Sequence, residues 1–179
     1  RTTLKNVSMM SWQDTYYSSN ATSDYRGYFE NCAIGGVVDW LCGDGNIWLE
    51  KCDIVVRDRS GNNLAAPSQE AEQQWGYVFM DCNIVPEFPL SQMEELKDKT
   101  WTLARPWANS PTKSPACTFI NTKMSVLPKD QGWGSMGSGA ILRFHENHTM
   151  DAGGTVLSLG ARSLAACAPA AGSDDCVMN

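Results

Sequence analysis

The sequence predicts an all-β solenoid, a parallel β-helix, through a repeat, the spacing of that repeat and the residue order inside it. Each copy has a large apolar residue, two variable positions, a small or thiol-bearing residue, one variable position and an aliphatic residue. The five copies are Leu4-Val7-Met9, Phe29-Cys32-Ile34, Leu49-Cys52-Ile54, Phe79-Cys82-Ile84 and Phe119-Thr122-Met124. Their middle positions are 25, 20, 30 and 40 residues apart, within the period of roughly 20 to 50 residues that marks solenoids.

Two details of the copies favour stacked coils over a mixed β domain with chance spacing, an alternative that the sequence leaves open. The last two members of each copy are two residues apart, so their side chains lie on one face of a strand. Unequal spacing is typical of a solenoid whose coils are regular and whose loops vary in length. We therefore expect equivalent side chains to stack along the inside of the coils.

The segments between and after the copies are predicted as follows. Residues 57–74 are polar and rich in turn residues, which predicts a surface loop. Residues 86–100 contain Ser91 three positions before Glu94, a capping box that predicts one short helix. From Gly132 the repeat fades, so residues 132–179 are expected to form a less regular C-terminal wrap and tail. Residues 1–179 are thus predicted to form a single partial β-helix domain.

Charge and hydropathy exclude some classes of partner. The 179 residues carry a formal net charge of −6 without clustered Lys and Arg, which argues against nucleic acid. No apolar run approaches the ~20 residues needed to span a bilayer, so no membrane partner is expected. The same negative charge disfavours a bare polyanion as the ligand and favours a chain whose carboxyl groups are neutralised.

Seven cysteines are present, an odd number that cannot all pair within one chain. Cys32, Cys52 and Cys82 occupy the same position of the repeat, so we expect three stacked, buried thiols, since free cysteine is among the most often buried residues. Cys167 and Cys176 lie in a tail rich in Ala, Gly and Asp. They are the expected disulfide if the chain is exported.

Three short strings carry the candidate chemistry, and they occur in the order Trp12-Gln13-Asp14-Thr15, Val38-Asp39-Trp40-Leu41-Cys42-Gly43 and Leu103-Ala104-Arg105-Pro106-Trp107. In this order they resemble the catalytic signatures of the pectin methylesterase (pectinesterase) family. The resemblance extends over about residues 4–162, and Gly132-Trp133 gives weaker support. It implies a right-handed parallel β-helix of the pectin-lyase-like kind, with loops forming a substrate groove.

The resemblance implies a role for each matched residue, without a cofactor or a metal. Asp39 matches the nucleophile and Asp14 the general acid and base. Gln13 matches an oxyanion donor and Arg105 the residue that keeps the nucleophile ionised. Three tryptophans are expected to contact the sugar chain in the groove, namely Trp107, Trp40 and Trp133.

Physical chemistry supports this division of labour independently of the resemblance. Two carboxylates held close together do not both ionise easily, so one can keep a proton to donate. A guanidinium beside the other carboxylate favours its charged, nucleophilic form. Asp14 and Asp39 are 25 residues apart, about one coil, so a β-helix would place them on adjacent strands. A structural ion-pair cluster of Asp14, Asp39 and Arg105 is the alternative at this point.

The implied function is hydrolysis of the methyl ester at the C6 carboxyl of galacturonate units in pectin (homogalacturonan), by a secreted, periplasmic or cell-surface protein. A noncatalytic polysaccharide-binding β-helix is the alternative, and a β-helix lyase or hydrolase that shortens the polymer is a third. The match covers the C-terminal two-thirds of the family's catalytic domain. The N-terminal coils are expected to be absent, which makes the missing N-terminal segment a possible partner.

Several residues depart from the family pattern or suggest other chemistry. Cys42 stands where the family usually has Phe, and Met136 where many members have Trp, which leaves the preferred methylation pattern open. His145 and His148 lack a third placed ligand, so no zinc site is predicted. The remaining tryptophans in the matched region, Trp48, Trp75 and Trp101, are expected to pack in the core or anchor loops.

Overall fold

A computed structural model of the protein describes residues 1–18, 25–108, 110, 112–136 and 142–162. Within these residues the strands form three parallel sheets, each running along one side of a coil. Sheet A contains β1 (Thr2–Lys5), β4 (Arg26–Glu30), β7 (Asn46–Glu50), β10 (Tyr77–Met80), β13 (Ala116–Ile120) and β15 (Arg143–Asn147). Sheet B contains β2 (Ser8–Met10), β5 (Ala33–Gly36), β8 (Asp53–Val56), β11 (Asn83–Pro86), β14 (Lys123–Met124) and β16 (Met150–Asp151). Sheet C contains β3 (Tyr16–Ser18), β6 (Val38–Gly43), β9 (Asn63–Pro67) and β12 (Thr102–Ala104).

The register of these sheets is the register of the sequence repeat, so the predicted parallel β-helix is confirmed. The first members of all five copies pair strand to strand along sheet A, as Leu4, Phe29, Leu49, Phe79 and Phe119. The third members pair along sheet B, as Met9, Ile34, Ile54, Ile84 and Met124. Within the first stack, the Phe79 and Phe119 rings lie parallel with centroids 4.4 Å apart. Burial of these stacked apolar side chains holds the coils together.

The corner between sheets A and B repeats one backbone conformation in every coil. One residue per corner has φ between 50° and 57°, and these residues are Asn6, Asn31, Lys51, Asp81, Asn121 and His148. Asn and Asp tolerate this left-handed region better than most residues. Side chains also bond along this ladder, since Asn121 Nδ2 donates to Asp81 Oδ1 at 3.1 Å. The corner therefore turns at the same place on every coil and preserves the register.

The predicted stack of buried thiols is also confirmed. Cys32, Cys52 and Cys82 are free and buried. Each thiol donates to the carbonyl two residues earlier, at 3.5, 3.4 and 3.4 Å, and the Thr122 hydroxyl makes the same bond at 3.3 Å. In four of the five copies this position thus holds a small side chain whose S–H or O–H donates to the backbone, whereas the first copy has Val7. Cys167 and Cys176 lie outside the described residues.

Two expectations about the loops are wrong. Residues 57–74 are not one surface loop, because β9 lies inside this segment with Leu64, Ala65 and Ala66 buried; this apolar run is too short to stand out among its turn residues. The capping-box helix does not form at Ser91 either. A single 3₁₀ turn, Leu90–Gln92, takes its place, without a side-chain cap.

An aspartate on a neighbouring loop explains the second difference. The Asp58 carboxylate accepts the backbone N–H groups of Glu94, Glu95 and Leu96 at 2.8 to 2.9 Å. These bonds satisfy donors that a helix would have used, and they lower the pKa of Asp58. The excursion from 86 to 100 is therefore held by a long-range contact in place of local helix bonds.

The solenoid continues further than the sequence repeat does. β15 and β16 form a sixth coil in register with the fifth, within the region expected to be irregular from Gly132 onward. Glu146 lies opposite Phe119 and Asp151 opposite Met124, so acidic residues occupy the apolar positions of the repeat. The coil was missed because its pattern of apolar residues is lost while its backbone register is kept.

A buried ion pair makes that substitution possible. Arg162 donates Nε to Glu146 Oε2 at 2.6 Å and Nη2 to Oε1 at 3.1 Å. Thr149 donates to the same Oε1 at 3.1 Å, and Arg162 Nη1 donates to the Asp130 carbonyl at 3.0 Å. Glu146 and Arg162 are both buried, and such charges are tolerated only when paired and hydrogen-bonded. This network closes the described end of the apolar core.

Candidate active site

The backbones of Asp14 and Asp39 lie at equivalent points of two successive coils, at the start of sheet C. Gln13 forms a parallel bridge with Val38, and the Asp14 N–H donates to the Val38 carbonyl at 3.2 Å. The residues that follow, Asp14 and Asp39, both have φ of 50°. The same unusual backbone conformation therefore occurs at the same point of two successive coils. The expectation that residues one coil apart stack holds for this backbone.

A bulge in β6 accounts for that conformation. Val38 pairs with Asn63 and Leu41 with Ala65, so Asp39 and Trp40 together oppose a single residue of β9. Bulges next to active sites re-aim a side chain. Here Trp40 enters the core, where a Cβ at Gly36 would meet its Cβ at 2.5 Å. Asp39 instead contacts Arg105, the residue that follows β12.

Arg105 donates two parallel hydrogen bonds to the Asp39 carboxylate. Nε donates to Oδ1 at 2.9 Å and Nη2 donates to Oδ2 at 2.6 Å. Arg105 directly follows β12, and its N–H donates to the Ala65 carbonyl at 2.9 Å, which fixes its backbone beside β9. The hydrogen bonds to Asp39 raise the pKa of Arg105, and the charges of Asp39 and Asp14 act in the same direction. A two-pronged contact of this kind fixes the orientation of a carboxylate as well as its charge.

The two carboxylates have different surroundings. Asp39 is buried beneath the guanidinium, whereas Asp14 and Gln13 are exposed. Burial, followed by the negative charges of Asp14 and Asp39, raises the pKa of the Cys42 thiol to about 12. Cys42 is thus a neutral, inert side chain within electrostatic reach of both acids. The arrangement separates a shielded carboxylate from one that solvent reaches.

Trp107, one of the predicted groove residues, lies close to Tyr17, an aromatic residue that the sequence motifs did not indicate. Trp107 is exposed, and its ring centroid lies 6.3 Å from that of Tyr17, with the planes tilted by 52°. Tyr17 lies on β3, three residues after Asp14, and pairs with Cys42 of β6. The alternation along β3, with Tyr16 partly buried and Tyr17 exposed, is the signal that would have found it.

Two of the three predicted groove tryptophans are corrected to core residues. Trp40 and Trp133 are 1% and 3% exposed, so neither indole has a face open to a sugar. Trp40 packs edge-on against Phe79 at 6.4 Å, and Trp133 lies between Phe119 and Phe144 at 6.0 and 5.1 Å. The bulge directs Trp40 inward, and the stack of phenylalanines provides the pocket for Trp133.

The remaining tryptophans also divide differently from the prediction. Trp101 is fully buried, as expected of a packing residue. Trp48 and Trp75 are 40% and 58% exposed, so packing does not explain them. Trp48 lies on the outer face of sheet A between Tyr28 and Val78, which places it outside the sheet that carries Asp39.

Arg57 supports the segment that carries Gln13 and Asp14. Its guanidinium carbon lies 3.9 Å from the ring centroid of Trp12. Nη1 donates to the Ser11 carbonyl at 3.1 Å, and Nε donates to Glu87 Oε1 at 3.0 Å. One side chain therefore ties the first coil to the third and fourth. Arg57 lies outside the three matched strings, and its three contacts are distant in sequence, so the sequence alone does not indicate it.

The described residues contain no cluster of three metal-ligating side chains and no membrane-spanning helix. In the ranges given above, no group of three or more His, Cys, Asp or Glu side chains is placed to hold a metal ion. His145 is on β15, and burial followed by the nearby Arg143 lowers its pKa. None of the described segments forms a helix long and apolar enough to cross a membrane.

The fold and this site define a class: parallel β-helices that hold two carboxylates and an arginine on one sheet. Comparison with known proteins identifies the family. A family-wide profile described as Pectinesterase matches residues 1–152. The chain therefore belongs to the pectinesterase family.

Individual relatives agree with the family assignment. The chain is 31% identical over 143 residues to Probable pectinesterase A of Aspergillus niger, covering 79% of this chain and 39% of that protein. It is 30% identical over 138 residues to Pectinesterase 4 of Arabidopsis thaliana, covering 74% of this chain and 22% of that protein. The chain thus spans about two-fifths of the fungal relative and less of the plant one.

Solved structures agree on the fold. The pectin methylesterase of Aspergillus niger matches with a TM-score of 0.73 at 25% identity, covering 92% of this chain and 49% of that one. The carrot enzyme, at 22% identity, matches in fold with a TM-score of 0.70, covering 88% and 47%. These neighbours are right-handed parallel β-helices, which confirms the predicted fold class.

Proposed function

We propose that the chain carries the ester-hydrolysing centre of a pectinesterase, which removes methyl groups from the C6 carboxyl of galacturonate units in pectin. The observation that carries this proposal is the pair of hydrogen bonds from Arg105 to Asp39. Asp39 directly follows Val38, whose bridge with Gln13 places Gln13 and Asp14 on the neighbouring coil. Membership in the pectinesterase family supports it. Because the chain spans only part of its relatives, the activity remains a proposal for this chain.

In the first half of the reaction Asp39 is the nucleophile. Its carboxylate oxygen attacks the C6 carbonyl carbon, and the carbonyl π electrons move to oxygen. Gln13 donates its side-chain amide to that oxyanion, a type of interaction that stabilises the transition state. Collapse of the tetrahedral species expels the methoxy group, which takes a proton from Asp14 and leaves as methanol. An anhydride between Asp39 and the substrate remains.

In the second half Asp14 acts as a base. Its carboxylate removes a proton from water, the resulting hydroxide attacks the acyl carbon, and Asp39 leaves as a carboxylate. The product is a C6 carboxylic acid, which releases its proton to water and becomes a carboxylate, while Asp39 is again ionised and Asp14 again protonated. The Arg105 hydrogen bonds favour this leaving group because they stabilise its charge. Asp14 is exposed, so water can reach it at this step. Asp39 is buried, which limits its reaction with other electrophiles in solution.

We propose homogalacturonan with methyl-esterified units as the polysaccharide partner. Trp107, two residues after Arg105, and Tyr17, three residues after Asp14, form an exposed aromatic pair, and aromatic rings stack well on the apolar faces of sugars. A pectin methylesterase that is 26% identical and matches with a TM-score of 0.67 has been solved in complex with a hexasaccharide. The net charge of −6 favours esterified over free galacturonate stretches.

We propose that the protein acts outside the cytoplasm, as a secreted, periplasmic or cell-surface protein, because a cell-wall polymer is too large to be imported. The described cysteines suit an oxidising compartment. Five of them are free and buried, and shielded thiols resist oxidation and disulfide exchange.

The test is methanol release from highly methylated pectin by the chain and by Asp39→Asn, with polymer length measured in the same samples. Methanol from the unmodified chain alone, at constant polymer length, is the expected result. Asp53→Asn is the matched control, since Asp53 is an exposed aspartate on sheet B, and it should release methanol normally. Shortened polymer would instead indicate cleavage of the glycosidic bond.

A noncatalytic polysaccharide-binding β-helix is the second candidate. One observation favours it: both carboxylate oxygens of Asp39 are already bonded to Arg105, as in a structural ion pair. No methanol from either protein, together with retained pectin binding, would support this function and contradict the esterase.

A further inference from the structure

A second cleft lies on sheet A, away from the strands that carry Asp14, Asp39 and Arg105. It has a volume of about 760 Å³, within the range typical of ligand sites. Its lining includes Trp48, Trp75, Asn46, Gln74 and Glu72. The turn after β6 leads into β7 at Asn46, so the cleft lies around one corner of the coil from the candidate active site.

The wall of this cleft is fixed in place by contacts from three other segments. Gln73 Nε2 donates to the Asp44 carbonyl at 2.7 Å, and Gln73 Oε1 accepts the Glu70 N–H at 2.8 Å. Arg143 Nη1 donates to the carbonyls of Gln73 and Gln74 at 2.7 and 3.1 Å. Lys113 pairs with Glu70 at 2.5 Å. The loop that presents Trp75 is therefore preorganised, which reduces the entropy that a ligand must overcome.

The chemistry of the lining identifies the class of ligand. Trp48 and Trp75 expose a large part of their indoles, and two such faces suit the apolar faces of pyranose rings. The amides of Asn46 and Gln74 also line the cleft and offer both donors and acceptors to hydroxyl groups. Gln74 is exposed, so its amide is the one that a ligand hydroxyl can reach directly, since the Asn46 Oδ1 atom is buried.

Charge argues for an uncharged ligand. The charged residues of the lining are Arg26, Glu70 and Glu72, and Lys113 neutralises Glu70. The lining therefore has no excess of positively charged side chains, within a chain of net charge −6. A polyanion such as free polygalacturonate would gain no electrostatic attraction here. Binding of an uncharged pyranose chain requires no such electrostatic attraction.

We propose that this cleft is a second carbohydrate-binding site, specific for an uncharged pyranose oligosaccharide and separate from the ester-hydrolysing centre. Such a chain has two possible sources, a fully methyl-esterified stretch of galacturonan or a neutral hexose polysaccharide. The site would hold the protein on the polymer while sheet C acts on another stretch. The binding itself does not depend on the proposed catalysis, because it involves different strands.

The test is isothermal titration of the full chain carrying Asp39→Asn, which prevents turnover. The probes are cellohexaose, fully methyl-esterified hexagalacturonate and free hexagalacturonate. Replacing both indoles, Trp48→Ala with Trp75→Ala, should weaken binding of the uncharged probe by at least about tenfold. Free hexagalacturonate should bind the parent at least about tenfold more weakly than the uncharged probe.

Controls separate this site from the groove and from misfolding. Trp107→Ala should leave cellohexaose binding unchanged, and replacing both indoles by Phe should retain most of it, since an aromatic face remains. If the parent binds cellohexaose, the source is a neutral polysaccharide. If the Trp48→Ala and Trp75→Ala double variant loses binding of the methyl-esterified hexagalacturonate and the parent does not bind cellohexaose, the source is esterified galacturonan. Equal binding by the double Ala variant and its parent, no binding of either uncharged probe, or equally tight binding of the free acid would overturn the proposal. Methanol release by the double Ala variant reports on the esterase separately.

Discussion

The guanidinium of Arg105 meets both oxygens of Asp39, at 2.9 and 2.6 Å, although 66 residues separate them in the chain. Two turns of the solenoid bring them together, because Asp39 lies on β6 and Arg105 follows β12, with β9 between these strands. Arg105 thus contacts Asp39 across the intervening strand β9, and Asp39 itself lies at the bulge of β6. This contact is the centre of the candidate site.

Arg105→Lys should lower methanol release at least about tenfold, because a lysine cannot form the two-pronged contact and a charge-assisted hydrogen bond contributes about 1.5 to 3 kcal/mol. The measurement is the initial rate of methanol release from methylated pectin. Arg59→Lys, at an exposed arginine on the loop after β8, is the matched control and should retain the parent rate. Full activity of Arg105→Lys would show that the two hydrogen bonds from Arg105 do not position Asp39 for attack.

Arg57→Met should lower kcat for methanol release by about fivefold to tenfold with little change in KM, because Arg57 is a positioning residue for the Gln13 and Asp14 segment. The variant loses the contact with Trp12, a type worth about 0.5 to 2 kcal/mol, and the hydrogen bond to Ser11. Arg57→Lys should recover part of the rate, since a cation remains over the indole. Glu87→Gln removes only the ion pair and should leave kcat nearly intact. An effect of equal size from Glu87→Gln would assign Arg57 a purely structural role.

Alkaline pH should destabilise the fold partly through Cys42. The pKa of this thiol is raised to about 12 in the folded protein, against about 8.5 in an unfolded chain. The folded state therefore holds the proton more tightly, so the stabilisation is complete below about pH 8.5 and is lost as pH rises towards 12, by up to about 1.4 kcal/mol per pH unit.

Urea unfolding at pH 7 and pH 10 measures this effect, with Cys42→Ala compared with the parent. The variant should lose less stability between the two pH values. Cys117 and Tyr77 also have pKa values raised by burial, so part of the alkaline loss should persist. An identical loss in both proteins would rule out a contribution from Cys42.

Arg162→Leu should destabilise the fold by about 3 to 5 kcal/mol, because it leaves the buried Glu146 carboxylate without its partner. Combining it with Glu146→Leu should recover most of the loss, since Glu146 lies opposite Phe119 in an apolar stack. Thermal or urea unfolding measures both. Lys5→Ala, which breaks the exposed pair with Glu30, is the control and should cost less than about 1 kcal/mol. A double variant no more stable than Arg162→Leu would contradict this account.

The stacking of the coils could be predicted because it follows from local spacing. Phe29, Cys32 and Ile34 recur in the neighbouring coils at matching intervals, and the structure pairs these positions strand to strand. The sixth coil was not predicted because Glu146 and Asp151 occupy its apolar positions, and the burial of Glu146 depends on Arg162. A rule about apolar residues cannot detect a coil whose core is an ion pair.

The candidate site was predicted in part for a similar reason. The juxtaposition of Asp14 with Asp39 followed from their separation of one coil. The assignment of Trp40 to the groove was wrong, because Trp40 lies at a bulge of one residue and is buried in the core, whereas its neighbour Asp39 contacts Arg105. Tyr17 was missed because no family string contains it, although its ring lies near that of Trp107.

The sequence by itself determined the class of fold, the register of five coils and the strings that place this chain in its family, because each depends on residues close together in the chain. Only the tertiary structure decided which indoles face solvent, how Arg105 reaches Asp39, and that the solenoid continues past Gly132. These outcomes depend on contacts between residues tens of positions apart. Burial and ion pairing are properties of neighbours in space, which stacking of the coils creates and local pattern does not specify.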